Sequence, residues 1–471
     1  MRYMIAILAV VAGLFGALSG EPAPAQAQSN TSWQQQVSDK DLSTKGARSM
    51  LESVLEKISM ADLGAAARRG DALAQLLYGY ALTSAEGGVQ QDKAAGFKFY
   101  DRSCSAGVVR ACASMGYSYM DGDGVAKNAA RAMDLFEAAC AEGNARACVA
   151  AGFLFSGQRV GVAEDRALSS ERYQSACRLG YSDGCRRAGH TFRTGTGVAK
   201  NETIAQQYFA RGCQYGNSSS CFFAGRLLEK ASDRSDANRF QAIAGFYERG
   251  CDRGNRTSCY NRGIIDNEGK YGRRRSTPAA VPWMDKACDL GFNDACYNLG
   301  SWLIDGRAGR KDGRRAIELL GPLCLRDEKP DIQACNNAGT AAYRGTGMSA
   351  PDYPSARKFY ERACSEGGLV ASCRTLSDMY RDRQIEVTQA GEREWLDAQL
   401  CFKAGEQDYC RSSTRQYLVL LRAGSGELRS AAMVAGDLCQ EGDFAACRYE
   451  RLLKSCDGNE ITRTACRRAF N

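Results

Sequence analysis

The chain has 471 residues with 44% hydrophobic and 25% charged, and carries 22 cysteines, 50 glycines and only 8 prolines. That is the composition of a globular protein, long enough for two or three ordinary domains or one extended array. A formal net charge of +8 spread over this length favours solubility and a mild pull on anions, and does not mark a nucleic-acid-binding protein.

The first 27 residues read as a secretory signal. Arg2 is a short positive region, and Met4 to Leu18 is an uncharged apolar stretch of about 15 residues, against about 20 for a membrane span. Ala25-Gln26-Ala27 is a small-residue site, so cleavage is expected after Ala27; the competing reading is an uncleaved anchor. No cysteine lies near that site, which argues against a lipoprotein, and no later segment is long and apolar enough to span a bilayer. An even number of cysteines in an exported chain implies a disulfide framework and an oxidising compartment.

Residues 28–60 combine a polar linker, QSNTSWQQQVSDK at 28–40, with an amphipathic helix carrying Met50, Leu51, Val54, Leu55 and Ile58. The helix is read as a cap on the adjoining helical array or as a partner-binding arm. Residues 61–83 then fall into the frame of the later chain, with Ala67 and Gln75 where a cysteine pair would stand.

From there the cysteines come in pairs. Cys104 and Cys112, Cys140 and Cys148, Cys177 and Cys185, Cys213 and Cys221, Cys251 and Cys259, Cys288 and Cys296, and Cys439 and Cys447 are each separated by seven residues. Cys324 and Cys335, Cys364 and Cys373, Cys401 and Cys410, and Cys456 and Cys466 have one to three more between them. From Cys104 to Cys439 first members recur every 36 to 40 residues, the period of a solenoid of helical hairpins. About ten such units fit residues 61–450, with residues 451–471 as a C-terminal capping helix that holds the last pair.

One unit shows the pattern. Cys112, Met115, Gly116 and Tyr119 lie on one helical face, and Gly122 and Gly124 end that helix. Ala132, Leu135, Phe136 and Ala139 form the stripe of a second helix that runs to Cys140 and is capped by Gly143. A glycine four residues after the second cysteine recurs as Gly116, Gly152, Gly189, Gly225, Gly263, Gly300 and Gly339. Inside a helix glycine costs about 1 kcal/mol relative to alanine, so its recurrence predicts close helix approach at each junction. One cysteine ends the second helix of a unit and the other opens the first helix of the next. Two antiparallel helix ends across a tight turn come within disulfide reach, and nearest-neighbour pairing is therefore expected throughout.

Units such as ACASMGYSYMDGDGVAKN and RAMDLFEAACAEGNARAC resemble the SEL-one-like repeat, a longer relative of the tetratricopeptide repeat. With the paired cysteines the chain is similar to the cysteine-rich secreted proteins of Helicobacter. The resemblance covers residues 61–450 and implies an all-α, right-handed α/α superhelix. Two units depart from it: Lys270 to Pro278 is an insertion at a turn, and Ser377 replaces the helix glycine.

Chemistry is sparse. His190 is the only histidine, too few for a multi-histidine metal site or most Ser-His and Cys-His arrangements, and no C-x-x-C occurs. No metal or other cofactor is expected. The Helicobacter resemblance implies penicillin binding or weak β-lactam hydrolysis as the alternative function. Ser355 to Lys358 matches S-x-x-K, and Ser182-Asp183-Gly184 and Arg193-Thr194-Gly195 are loose versions of the partner motifs. They lie about four repeats apart, which reads as chance, and no catalytic residue is assigned.

The favoured function is binding. The second residue after the cysteine that opens a first helix lies about 200° from that cysteine around the helix, and in three consecutive units it is Asn261, Asn298 and Asn337. Tyr260 and Tyr297 precede two of them. The row reads as a groove for an extended peptide, or as solvated surface. Lys270, Arg273, Arg274 and Arg275, with Arg307, Arg310, Lys311, Arg314 and Arg315 one unit on, read as a basic patch or as solvated charge. A monomeric scaffold in the periplasm or medium of a Gram-negative bacterium is expected, with a protein, peptide or envelope polymer as partner and no nucleic acid.

Overall fold

The structure is a computed structural model that describes residues 47–157, 161–230, 237–367 and 369–386. Nineteen α-helices and no strand occur among these residues. The leader, the linker, the pairs Cys401–Cys410, Cys439–Cys447 and Cys456–Cys466, and the closing helix at 451–471 lie outside the described residues.

The chain divides into two compact bodies that exchange between Leu154 and Ala163. In the first, α1 (Ala47–Leu55) and α2 (Met60–Arg69) precede the pair α3 (Ala72–Ser84) and α4 (Lys93–Ser105). The pair α5 (Val109–Asp121) and α6 (Ala129–Ala141) comes next, then α7 (Ala145–Phe155). The second body opens with α8 (Arg166–Arg178) and continues with the pairs α9 (Ser182–Thr194) and α10 (Glu202–Gln214), and α11 (Ser218–Lys230) and α12 (Ala237–Asp252). The pairs α13 (Arg256–Glu268) and α14 (Thr277–Asp289), α15 (Asn293–Asp305) and α16 (Gly313–Cys324), and α17 (Ile332–Arg344) and α18 (Tyr353–Ser365) lead to α19 (Val370–Arg381).

Short polar side chains start these helices. Asp92, Asn128, Asp165, Asn201, Ser276, Asp312 and Asp352 each stand just before the second helix of a unit, and each side chain accepts from the backbone N–H three residues on. Such a cap satisfies one of the amides that a helix start leaves without a partner, for about 1 kcal/mol. Asp71, Asn144, Asn217, Asn255 and Asp331 do the same for first helices.

The recurrent helix glycine admits a large side chain from the second helix of its own unit. A Cβ on Gly116 would stand 2.6 Å from Phe136, on Gly189 2.8 Å from Phe209, and on Gly339 2.8 Å from Tyr360. Tyr247, Met284 and Leu320 fill the corresponding notches at Gly225, Gly263 and Gly300. The close approach therefore lies inside each hairpin, between its two helices. Phe136, Phe209 and Tyr247 are fully buried. The glycine-rich turns add contact between units: Gly124, at φ +73°, is so close to the Lys93 carbonyl of the preceding unit that a Cβ would overlap it.

Eight disulfides join successive units, from Cys104–Cys112 to Cys364–Cys373, with Cα atoms 4.4 to 4.9 Å apart. No cysteine among the described residues is free. At the frame's two cysteine-less positions a hydrogen bond replaces the bridge: Gln75, 5% exposed, donates through Nε2 to the Ala67 carbonyl at 3.2 Å. Met50, Leu51 and Val54 of α1 are buried against Leu63, Ala67, Ala74 and Leu77, so the apolar face of this helix packs on α2 and α3.

Candidate interaction surfaces

The first helices of successive units lie side by side, and the asparagine row sits between them. Asn298 donates through Nδ2 to the Tyr260 hydroxyl at 3.3 Å. Asn337 donates to the Tyr297 hydroxyl at 3.4 Å and to Ser301 Oγ at 3.1 Å. Asn336 continues the pattern by accepting from Ser372 Oγ at 3.0 Å. Asn298, Asn337, Tyr260 and Tyr297 are all half-buried, and burial raises the Tyr260 pKa against the lowering effect of its bond to Asn298. Two of the three predicted asparagines thus commit an amide proton to the neighbouring unit, which locks their orientation. Asn261 is the exception: the residue at the tyrosine position one unit upstream is Phe222, which has no hydroxyl to offer.

The basic residues are divided. Arg273 is drawn to Asp266 at 2.5 Å, beside the buried pair of Arg262 and Asp266, 5% and 4% exposed at the side chain. Lys270 pairs with Glu268, Arg307 with Asp305, and Arg315 with Asp285 and Glu318. Arg274, Arg275, Arg310, Lys311 and Arg314 remain exposed and make no ion pair among the described residues. Only these keep the character of the predicted patch.

A further feature lies in the second body, at the end of α9, the start of α10 and along α11. It is a cavity of about 640 Å³ with Arg193, Arg226, Lys230, Phe222, Phe223 and Leu227 in its wall. His190 stands behind it, edge-on to Phe209 and Phe223 at 5.1 and 4.6 Å between ring centroids. Burial first, and then the charges of Arg193, Arg186 and Arg187, push its pKa down to about 4, so the ring is neutral at pH 7. Its Nδ1 lies 3.2 Å from Arg193 Nη2, which makes it the acceptor for that guanidinium. An isolated histidine in a repeat carries no sequence signal for this role.

The β-lactamase-like strings serve the helices themselves. Ser355 sits in the first turn of α18, where Asp352 caps its backbone N–H at 3.1 Å. Asp183 is held by Arg186 and Arg187 on α9 at 2.6 and 2.8 Å. The helices α10 to α17 separate the two segments in the chain order.

Helical hairpins of similar length, joined by short bridges, define a class: a repeat protein of the α/α-solenoid type. The Sel1 repeat family model matches residues 72–108, 109–144, 182–217, 257–292, 293–324 and 332–368, so the chain carries six Sel1 repeats. A crystal structure of a protective antigen from uropathogenic Escherichia coli strains, displaying an SLR fold, is similar to it with a TM-score of 0.54 at 20% identity, over 88% of this chain and 90% of that one. A Sel1 repeat protein from Oxalobacter formigenes aligns over 49% of this chain and 99% of its own, at 22% identity and a TM-score of 0.40. Cytochrome c oxidase assembly factor 7 of Danio rerio is 40% identical over 58 residues, 12% of this chain and 25% of that protein. Sel1 repeats are typical scaffolds for protein–protein interaction.

Proposed function

We propose that the protein is an exported scaffold that holds a protein, peptide or envelope-polymer partner along the side-by-side first helices of its repeats. The observation that carries this is the Tyr260–Asn298 and Tyr297–Asn337 ladder, which holds polar groups in a row before any partner arrives. With Nδ2 committed to the tyrosines, the Asn298 carbonyl oxygen is left to accept from an extended backbone, that of Asn337 keeps a second lone pair beside its 3.5 Å bond from Asn336 Nδ2, and ordering them beforehand reduces the entropic cost of binding. Export rests on Arg2, the apolar stretch from Met4 to Leu18 and the small residues up to Ala27. Eight bridged pairs in the described residues suit an oxidising compartment, the periplasm or medium of a Gram-negative bacterium. No described helix is long and apolar enough to cross a membrane. The scaffold is taken to act as a monomer, with repeats continuing to about residue 450 and a closing helix at 451–471.

Capture of partners from an oxidised envelope extract by the purified chain tests this. A specific partner lost on changing Asn261, Asn298 and Asn337 together to alanine supports the ladder surface, and identical capture by the triple variant rejects it. A covalent adduct with a labelled penicillin would replace the scaffold reading with the hydrolase one.

A further inference from the structure

The cavity at α9, α10 and α11 carries more charge than its own carboxylates neutralise. Glu202 is engaged by Lys230 at 2.7 Å and by Lys200 at 3.7 Å, and the hydrogen bond from Lys230 lowers its pKa. Glu229 is engaged twice: Tyr247 donates to one oxygen at 2.7 Å and Tyr271 to the other at 2.9 Å. Arg193 has no carboxylate partner among the described residues. Its guanidinium lies over the Phe223 ring, 5.5 Å from the centroid, and its polar neighbour is the His190 imidazole. Its Nε is buried without a hydrogen-bond acceptor. Arg226 is exposed and makes no ion pair among the described residues. Two guanidinium groups therefore face a cavity walled by Phe222, Phe223 and Leu227 with no described carboxylate assigned to either.

We propose that this cavity is the docking site for an acidic peptide segment of the partner, one carboxylate side chain meeting Arg193 and Arg226 while an apolar neighbour packs on Phe222 and Phe223. Guanidinium groups match a carboxylate with paired, charge-assisted hydrogen bonds. A volume of about 640 Å³ suits one or two side chains. The aromatic wall selects a peptide that carries apolar residues beside its acids over a simple anion. The ring of Phe223 and the neutral His190 fix the Arg193 plane, so the site is ordered before the ligand enters. This inference rests on the scaffold reading and adds to it a place and a ligand class.

Isothermal titration of the full, oxidised chain with the peptide acetyl-Phe-Asp-Leu-Asp-amide tests it against the same peptide with asparagine at both acids. The acidic peptide should bind wild type, and Arg226→Glu should weaken it at least tenfold. Lys98→Glu, which alters an exposed charge of α4 instead, should leave binding unchanged. The asparagine peptide should bind at least tenfold more weakly than the acidic one. Equal binding to wild type and Arg226→Glu, equal binding of both peptides, a Lys98→Glu loss as large as that of Arg226→Glu, or no binding of the acidic peptide to wild type would each overturn the site. The scaffold reading fails by a different result, no specific partner captured from the envelope extract by the purified chain, so the two are separable.

Discussion

At the residue scale, the same amino acid has opposite consequences depending on what faces it. Gly116 and Gly245 both sit inside helices, where alanine is intrinsically better by about 1 kcal/mol. At Gly116 a methyl group would stand 2.6 Å from the buried Phe136 ring, whereas at Gly245 the nearest atom is the flexible end of Arg249 at 3.4 Å. Gly116→Ala should destabilise by about 1–3 kcal/mol through overpacking. Gly245→Ala should stabilise by about 0.5–1 kcal/mol, and urea denaturation of both variants measures the contrast. Asp266 presents a second case. It neutralises Arg262 in a nearly dry setting under the face of Trp283, so Asp266→Ala should cost about 3–5 kcal/mol by leaving a buried charge alone. Measured losses below about 1 kcal/mol would mean that Glu248, 3.8 Å from Arg262, takes over the charge.

His190 gives the residue scale its pH dependence. Its folded pKa, about 4, lies below the ordinary 6.5, so the unfolded chain takes up the proton first. Stability is then complete at neutral pH and falls as the pH drops from about 6.5 toward about 4, with no further loss from this group below that. The loss should be on the order of 2 kcal/mol, after allowance for partial exposure. Asp183 opposes the three arginines that depress the pKa, and its own carboxyl is held low by Arg187 and Arg186 despite burial. Thermal melts across this window should lose that slope in His190→Phe, and an unchanged slope would assign it elsewhere.

At the scale of elements, the unit of construction is a hairpin closed by a ring in a notch and tied to the next hairpin by a bridge. The bridges differ in exposure. Both sulfur-bearing residues of Cys104–Cys112 are only half-buried, whereas Cys213–Cys221 and Cys364–Cys373 are buried at both ends. Thiolate attack requires access, so graded reduction followed by alkylation and mass mapping should open Cys104–Cys112 before the fully buried pairs. Replacing both of its cysteines by serine should cost about 2–3 kcal/mol, the loop entropy of a short closure. The hydrogen bond of Gln75 to Ala67 marks the one described frame position where a weaker tie occupies the place of a bridge.

For the whole molecule, the decisive quantity is sequence separation. Bridged cysteines are 8 to 11 residues apart in all described pairs. Closing such loops costs little entropy, and contacts between successive hairpins are equally local. Reduced, denatured chain returned to a glutathione buffer should therefore form nearest-neighbour bridges first, without a dominant population of long-range pairs. Peptide mapping of early trapped intermediates gives the test, and a majority of bridges between distant repeats would contradict it.

The amino-acid pattern alone determined the hairpin period, the all-helical class and the nearest-neighbour bridging of the described pairs, because each depends on residues within about 40 positions of one another. Cysteine spacing, turn glycines and helical stripes are local signals, and local geometry answers to them. Even the Asp and Asn caps were legible in principle, since each stands three residues before the amide it accepts from. The tertiary structure decided what comes from other units. It turned the amides of Asn298 and Asn337 onto tyrosines of the preceding unit, took Arg273 from the basic patch to Asp266, and set Arg193 and Arg226 around one cavity. A side chain's partners across a helix interface depend on rotation and register that no spacing encodes, and which charges stay unpaired is settled only when every neighbour is in place.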